Sequence, residues 1–134
     1  MSKQIYSYYK TYCKLCKQTL ELKEIRNVGR KPNFPEVISE ALCRKLFNLN
    51  KPKNGDATFG NLRVEIKCFS SKGPISFGPT ESWDILIVVN AIKHPTFDFH
   101  IFHKSHSDFH SLKINKHETF VEQCSSKRRP RISP

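Results

Sequence analysis

The spacing of hydrophobic and polar positions changes several times along the chain, and each change marks an element. From Leu62 to Phe69 the alternation is strict. Leu62, Val64, Ile66 and Cys68 share one face of an extended strand, while Arg63, Glu65, Lys67 and Phe69 share the other. Gly60-Asn61 separates this run from the strand-forming Ala57-Thr58-Phe59, which predicts a tight hairpin that folds Asp56 back beside Glu65. Upstream, Phe34, Ile38, Ala41, Leu42, the stem of Lys45, Leu46 and Leu49 recur at helical spacing, so a helix is predicted over 35–49 with Pro35 in its first turn. Glu36 and Glu40 lie along one flank of that stripe. Glu40 stands four residues before Arg44, the spacing of a solvated ion pair that contributes about 0.2–0.5 kcal/mol.

Downstream, Trp83 to Ala91 is apolar on both faces, as in a central strand covered on both sides. A further strand is predicted from Thr96 to Lys104, with Phe97, Phe99 and Ile101 facing inward. Residues 1–26 mix tyrosines and leucines with lysines and read as one or two helices; Asn115 to Gln123 reads as a short capped helix. Residues 27–34 and 50–54 carry turn chemistry. The loop over 70–82 holds two glycines, two prolines and five hydroxyl side chains, a composition for an ordered but irregular segment. Together these elements predict one α/β domain: a mixed β-sheet of four or more strands flanked by helices. Residues 1–30 form a basic helical region, 31–104 the core, and 105–134 a helix and a basic tail. The short length and the RRPRISP ending lead us to expect a further C-terminal portion.

Charge narrows the function. The 23 Lys and Arg against 12 Asp and Glu give a net charge of +11, which favours a polyanionic partner, nucleic acid first. No run reaches the roughly 20 apolar residues of a spanning helix, and the first residues lack the apolar segment of a signal peptide. A cytoplasmic protein with no membrane partner is therefore expected. Five cysteines at irregular spacing fit reduced thiols better than a disulfide framework. Cys13 and Cys16 have the spacing of half a zinc site, but no second pair exists, which favours two thiols packed against the body. His100, His103, His106 and His110 invite a metal reading, yet on a strand His100 and His103 face opposite sides. Arg30, Lys31, Ser70, Ser71, Lys72, Ser76 and Thr80 are candidate DNA contacts. The SSKRRPRISP tail reads as a disordered terminus and, compatibly, as a non-specific phosphate contact. Asp84 reads as a residue at the start of a strand.

The chemistry gathers at the hairpin. Phosphodiester hydrolysis needs an activated water and compensation for the charge that grows on the phosphate. Asp56 and Glu65 offer hard oxygen ligands for a divalent cation, and Lys67 projects beside Glu65. With Asp56, then Glu65-Ile66-Lys67 after a gap of eight residues, and Glu40 in the preceding ISEAL helix, the sequence resembles the PD-(D/E)XK nuclease superfamily. Within that superfamily it is most similar to type II restriction endonucleases. Gly55 stands where the motif's name has Pro, a weakly constrained position, and CFSSKGPISFGPTESWDILIV resembles the segment that trails the catalytic strand. The resemblance covers roughly residues 30–104.

The resemblance implies a restriction-endonuclease-like core and hydrolysis of double-stranded DNA at a short sequence. It further implies 5′-phosphate and 3′-hydroxyl ends, magnesium as cofactor with manganese able to substitute, and a homodimer. Asp56, Glu65 and the backbone carbonyl of Ile66 would hold the metal, with Lys67 catalytic and Glu40 acting through a second metal or a water. The loop over 70–82 would read sequence. Two alternatives stay open. One is a junction-resolving or repair nuclease of the same fold; the other is a non-catalytic nucleic-acid-binding protein stapled by zinc through Cys13 and Cys16.

Overall fold

The structure, a computed structural model, describes residues 2–26, 32–78, 82–103 and 112–132. Its elements in chain order are α1 (Lys3–Arg26), α2 (Glu36–Leu46), β1 (Ala57–Phe59), β2 (Leu62–Phe69), β3 (Ile75–Ser76), β4 (Ile85–Asn90), β5 (Asp98–His103), α3 (Phe120–Ser125) and β6 (Arg131–Ile132). A four-stranded mixed sheet runs in the order β1-β2-β4-β5, and β3 pairs with β6 in a second, two-stranded sheet. The α/β class and the mixed sheet flanked by helices agree with the sequence reading.

The predicted hairpin forms in the predicted register, with Ala57 opposite Val64 and Phe59 opposite Leu62. Gly60 takes φ +58 at the first central position of its turn. A type II′ turn needs that sign there, and glycine adopts it without steric cost. β2 then runs parallel to β4, which is antiparallel to β5. Alternation along β4 divides the interior into two cores. Ile85, Ile87 and Val89 join Ala57, Val64, Ile66 and Cys43 of α2, whereas Leu86 and Val88 join Phe77, Trp83 and Phe120 on the opposite face. Ile85 to Val89 are all buried, as a central strand requires.

α1 is one helix of 24 residues. Ile5, Tyr9, Tyr12, Cys13 and Cys16 form a stripe at helical spacing that packs on Phe34, Ile38 and Ala91. The Tyr12 hydroxyl donates to the Pro32 carbonyl at 3.3 Å, and the Tyr9 hydroxyl meets the His94 ring. The aromatic and thiol side chains of this region are thus core-facing, although Tyr6 and Tyr8 remain exposed.

Four expectations need correction. The buried face of α2 includes Ser39 and Cys43, while Leu46 and Lys45 are exposed. Small side chains let the helix sit close on the sheet, and Ser39 satisfies its hydroxyl by donating to the Glu36 carbonyl at 3.0 Å. On β5, Ile101 is 46% exposed because this is an edge strand, and Phe102 packs into the second core instead. The short C-terminal helix starts at Phe120, capped reciprocally by Thr119 and Glu122. Asn115 mimics such a cap, but its Oδ1 accepts from the N–H groups of His117 and Glu118 and closes a turn instead.

The fourth correction concerns the basic tail. Ile132 pairs with Ile75, the Phe77 N–H donates to the Pro130 carbonyl at 3.0 Å, and Pro130 is buried. The irregular loop and the tail therefore brace one another. Phe77 stands at their junction, 1% exposed and edge-on to Phe120 with ring centroids 5.2 Å apart. Phe77→Ala should cost about 3–5 kcal/mol, because a buried ring is lost and a cavity is left. Urea unfolding followed by Trp83 fluorescence measures it; a cost below about 1 kcal/mol would show that this second core does not support the fold.

Candidate active site

β1 has three residues and β2 has eight, so β2 continues beyond its hairpin partner with an open edge. The site forms on that edge. Asp56 immediately precedes β1 and falls opposite Glu65 by continuation of the hairpin register. Its Oδ2 accepts the Ile66 N–H at 2.8 Å, which satisfies a donor that β1 is too short to reach. In an extended strand the N–H and C=O of one residue leave on the same side. The Ile66 carbonyl therefore faces the edge where Asp56 sits.

Glu65 and Lys67 project from the face of β2 opposite α2, with Lys67 Nζ 3.2 Å from Glu65 Oε1. Each side chain keeps only about one fifth of its surface exposed. The Lys67 ammonium also lies 5.3 Å from the centroid of the Phe77 ring, within cation–π range. The small β3–β6 sheet thereby presses an aromatic face against the lysine. Beyond Lys67 on the same face opens a cleft of about 770 Å³, lined by Phe69, Phe77, Val88, Phe102 and Ile132 with Lys72 and His100 among its polar members.

Glu40 approaches the same edge from α2. Burial, and then the Asp56 carboxylate, push its pKa up to about 7, while Arg44 pulls it down; Glu36 and Glu65 add smaller upward contributions. Arg44 does more than the solvated pair that its spacing suggests. Its Nη1 donates to the Asp56 carbonyl at 2.8 Å and lies 3.9 Å from Glu40 Oε2, with the side chain 14% exposed. Sequence reasoning found the spacing and missed the role, because the second partner lies across the fold.

Glu40, Asp56, Glu65 and Lys67 are thus brought to one strand edge. The predicted DNA contacts are less uniform. Ser70 Oγ accepts the Phe34 N–H at 3.0 Å and pins the start of α2 to the end of β2, while Ser76 receives the Arg129 guanidinium at 3.3 Å. Ser71 is half-buried and Lys72 exposed. Arg30, Lys31, Thr80, His106 and His110 lie outside the described residues. Asp84 ties β4 to β2, accepting the Arg63 N–H at 2.8 Å and returning its own N–H to the Arg63 carbonyl at 2.9 Å. Among the described residues, no three His, Cys, Asp or Glu side chains gather as a metal cage, whether around Cys13 and Cys16 or elsewhere. Burial pushes the Cys43 thiol up to about 12 and the Cys68 thiol up to about 11, so both are protonated core groups.

A mixed sheet with Glu65 on its inner strand β2, Asp56 opposite it and a further acid, Glu40, on the adjoining helix agrees with a restriction-endonuclease-like α/β core. The sequence comparisons agree. The Bsp6I restriction endonuclease family matches residues 1–134, and the chain belongs to that family. It is 33% identical over 109 residues to the type II restriction enzyme Bsp6I of Bacillus sp. (strain RFL6), a match that covers 75% of this chain and 62% of the relative. The chain therefore spans less than two thirds of that relative's length. No solved structure matches. Among the described residues, no helix is long and apolar enough to cross a membrane.

The Glu40 shift has a signed consequence for stability. Its folded pKa of about 7 lies above the ordinary 4.5, so the folded state binds this proton more tightly than the unfolded chain. The stability associated with the protonated form is present below pH 4.5 and is lost as pH rises toward 7. In metal-free protein, Glu40→Gln should therefore raise the melting temperature at pH 8, and the gain should vanish below about pH 4.5. A lower melting temperature for the variant at pH 8 would contradict this.

Proposed function

We propose that this protein is a type II restriction endonuclease that hydrolyses double-stranded DNA at a short specific sequence with magnesium, leaving 5′-phosphate and 3′-hydroxyl ends. The observation that carries the reading is the juxtaposition of Asp56 with Glu65 and Lys67 on the open edge of β2, in a chain of that restriction endonuclease family. The net charge of +11 supports a polyanionic substrate. Cutting both strands in one encounter implies a homodimer with two sites related by the two-fold axis of the DNA.

The donor set suits magnesium. Two carboxylates and a backbone carbonyl are hard oxygens, few enough that water and substrate oxygens complete an octahedral shell. Asp56, Glu65 and the Ile66 carbonyl would hold the ion, with manganese able to substitute. When bound, such an ion polarises the phosphate and lowers the pKa of a coordinated water.

The protein's own groups supply the rest. Asp56 is held by the Ile66 N–H on one oxygen, which leaves the other for the cation. Lys67 brings an ammonium held between Glu65 and the Phe77 ring. Held beside Glu65, the ammonium would help orient the attacking water and offset charge on the phosphate. Glu40, protonated or ionised near neutral pH, can hold a second water or a second cation from the helix side. Lys72 and Ser71 follow the end of β2 and in this reading would meet DNA beside the cleaved bond, and the loop that carries them is our assignment for sequence reading.

Incubation of the purified protein with magnesium and a mixed-sequence plasmid tests this directly. Discrete, reproducible fragments support restriction. Cutting confined to branched DNA would move the protein to a junction-resolving class, and no cleavage with either magnesium or manganese would overturn the nuclease reading. Lys67→Ala should lower the single-turnover cleavage rate by about 10²–10⁴-fold while DNA binding is retained. Cleavage at the wild-type rate would remove Lys67 from the mechanism.

A further inference from the structure

We propose that Arg44 is a positioning residue that fixes Asp56 in the orientation needed to share a cation with Glu65. The proposal rests on the nuclease reading of the site and adds a residue to it. Asp56 follows a polar connection, Lys51 to Gly55, in which Gly55 has φ +95, and only with Ala57 does regular pairing begin. The backbone around Asp56 is therefore held by point contacts. Two are strong: the carboxylate accepts the Ile66 N–H, and the carbonyl accepts the Arg44 guanidinium, both at 2.8 Å.

These contacts act at opposite ends of one residue and come from different elements. Ile66 locates the carboxylate along the edge of β2. Arg44 anchors the peptide plane that follows Asp56 to the last turn of α2, and that plane sets the direction in which the side chain leaves the backbone. The same nitrogen stands 3.9 Å from Glu40, so one guanidinium relates the helix acid to the hairpin acid. Arg44 is 14% exposed, which restricts the alternative rotamers of its long side chain. A lysine could carry the charge, but with a different reach and without the planar fork.

Two effects of removing Arg44 oppose one another, and this makes the inference testable. Loss of a positive charge beside the Glu40 carboxylate should strengthen cation binding. Loss of the hydrogen bond to the Asp56 carbonyl should weaken it, because the ligands are no longer preorganised. Positioning dominates in our account. Arg44→Met keeps the buried stem without a donor, and it should raise the magnesium concentration for half-maximal cleavage about tenfold or more with little change in KM for DNA. Manganese binding without DNA, followed by calorimetry, should weaken by a similar factor. Arg44→Lys should fall between wild type and Arg44→Met in both measurements.

An unchanged or lower half-saturation in Arg44→Met would show the guanidinium to be a counter-ion only and would overturn the proposal. If Arg44→Met does not fold, the Arg44→Lys titration decides alone, and a wild-type half-saturation overturns it. Failure of the nuclease reading looks different: wild-type protein would then neither cleave with a divalent cation nor bind manganese.

Discussion

The bond from the Ile66 N–H to the Asp56 carboxylate is the contact on which the site depends. β1 reaches only three residues back from its hairpin turn, which leaves the second half of β2 without a strand partner on that edge. Such an edge invites pairing with another chain and leaves polar groups unsatisfied. Asp56 closes it with a side chain. A hydrogen bond to an ionised acceptor contributes about 1.5–3 kcal/mol, and here it also fixes a carboxylate across from Glu65. One interaction completes the sheet and begins the site.

The same edge concentrates charge. The Asp56 carboxylate, and more weakly Glu65, act on Glu40 there, in a chain whose net charge is +11. Partial burial of like charges is unfavourable, and the molecule offsets it locally. Arg44 faces Glu40 and the Asp56 carbonyl, and Lys67 faces Glu65. Burial first, and then the Asp56 carboxylate, still hold the Glu40 pKa up at about 7, so the local offset is partial. A divalent cation would complete it, and cation binding should stabilise the fold as well as enable chemistry. The β3–β6 sheet contributes by holding Phe77 near Lys67, which links the folded C-terminal segment to β2.

Much of this was legible in the sequence where a single periodicity determines the geometry. Strict alternation placed Glu65 and Lys67 together, Gly60-Asn61 set the hairpin register and hence Asp56, and the apolar run before Asn90 located the central strand. The parts that were not legible depend on contacts distant in sequence. Arg44 looked like the second half of an i, i+4 pair because its bond to the Asp56 carbonyl crosses from helix to hairpin. The Ile75–Ile132 pairing joins segments of low local propensity that only the second core brings together. Ser39 and Cys43 replaced Leu46 in the buried face of α2 because closeness to the sheet favours small side chains. The C-terminal helix is capped by Thr119 and not begun at Asn115, because Thr119 precedes Phe120, which has a core to enter.

The central claim is that Asp56 and Glu65 share one cation at the open edge of β2. Crystals grown with manganese and measured at its absorption edge would locate the ion by anomalous scattering. The account predicts a peak in contact with both carboxylates at about 2–2.5 Å. A peak held elsewhere, at Cys13 and Cys16 or at the β5 histidines, with none between Asp56 and Glu65, would contradict it.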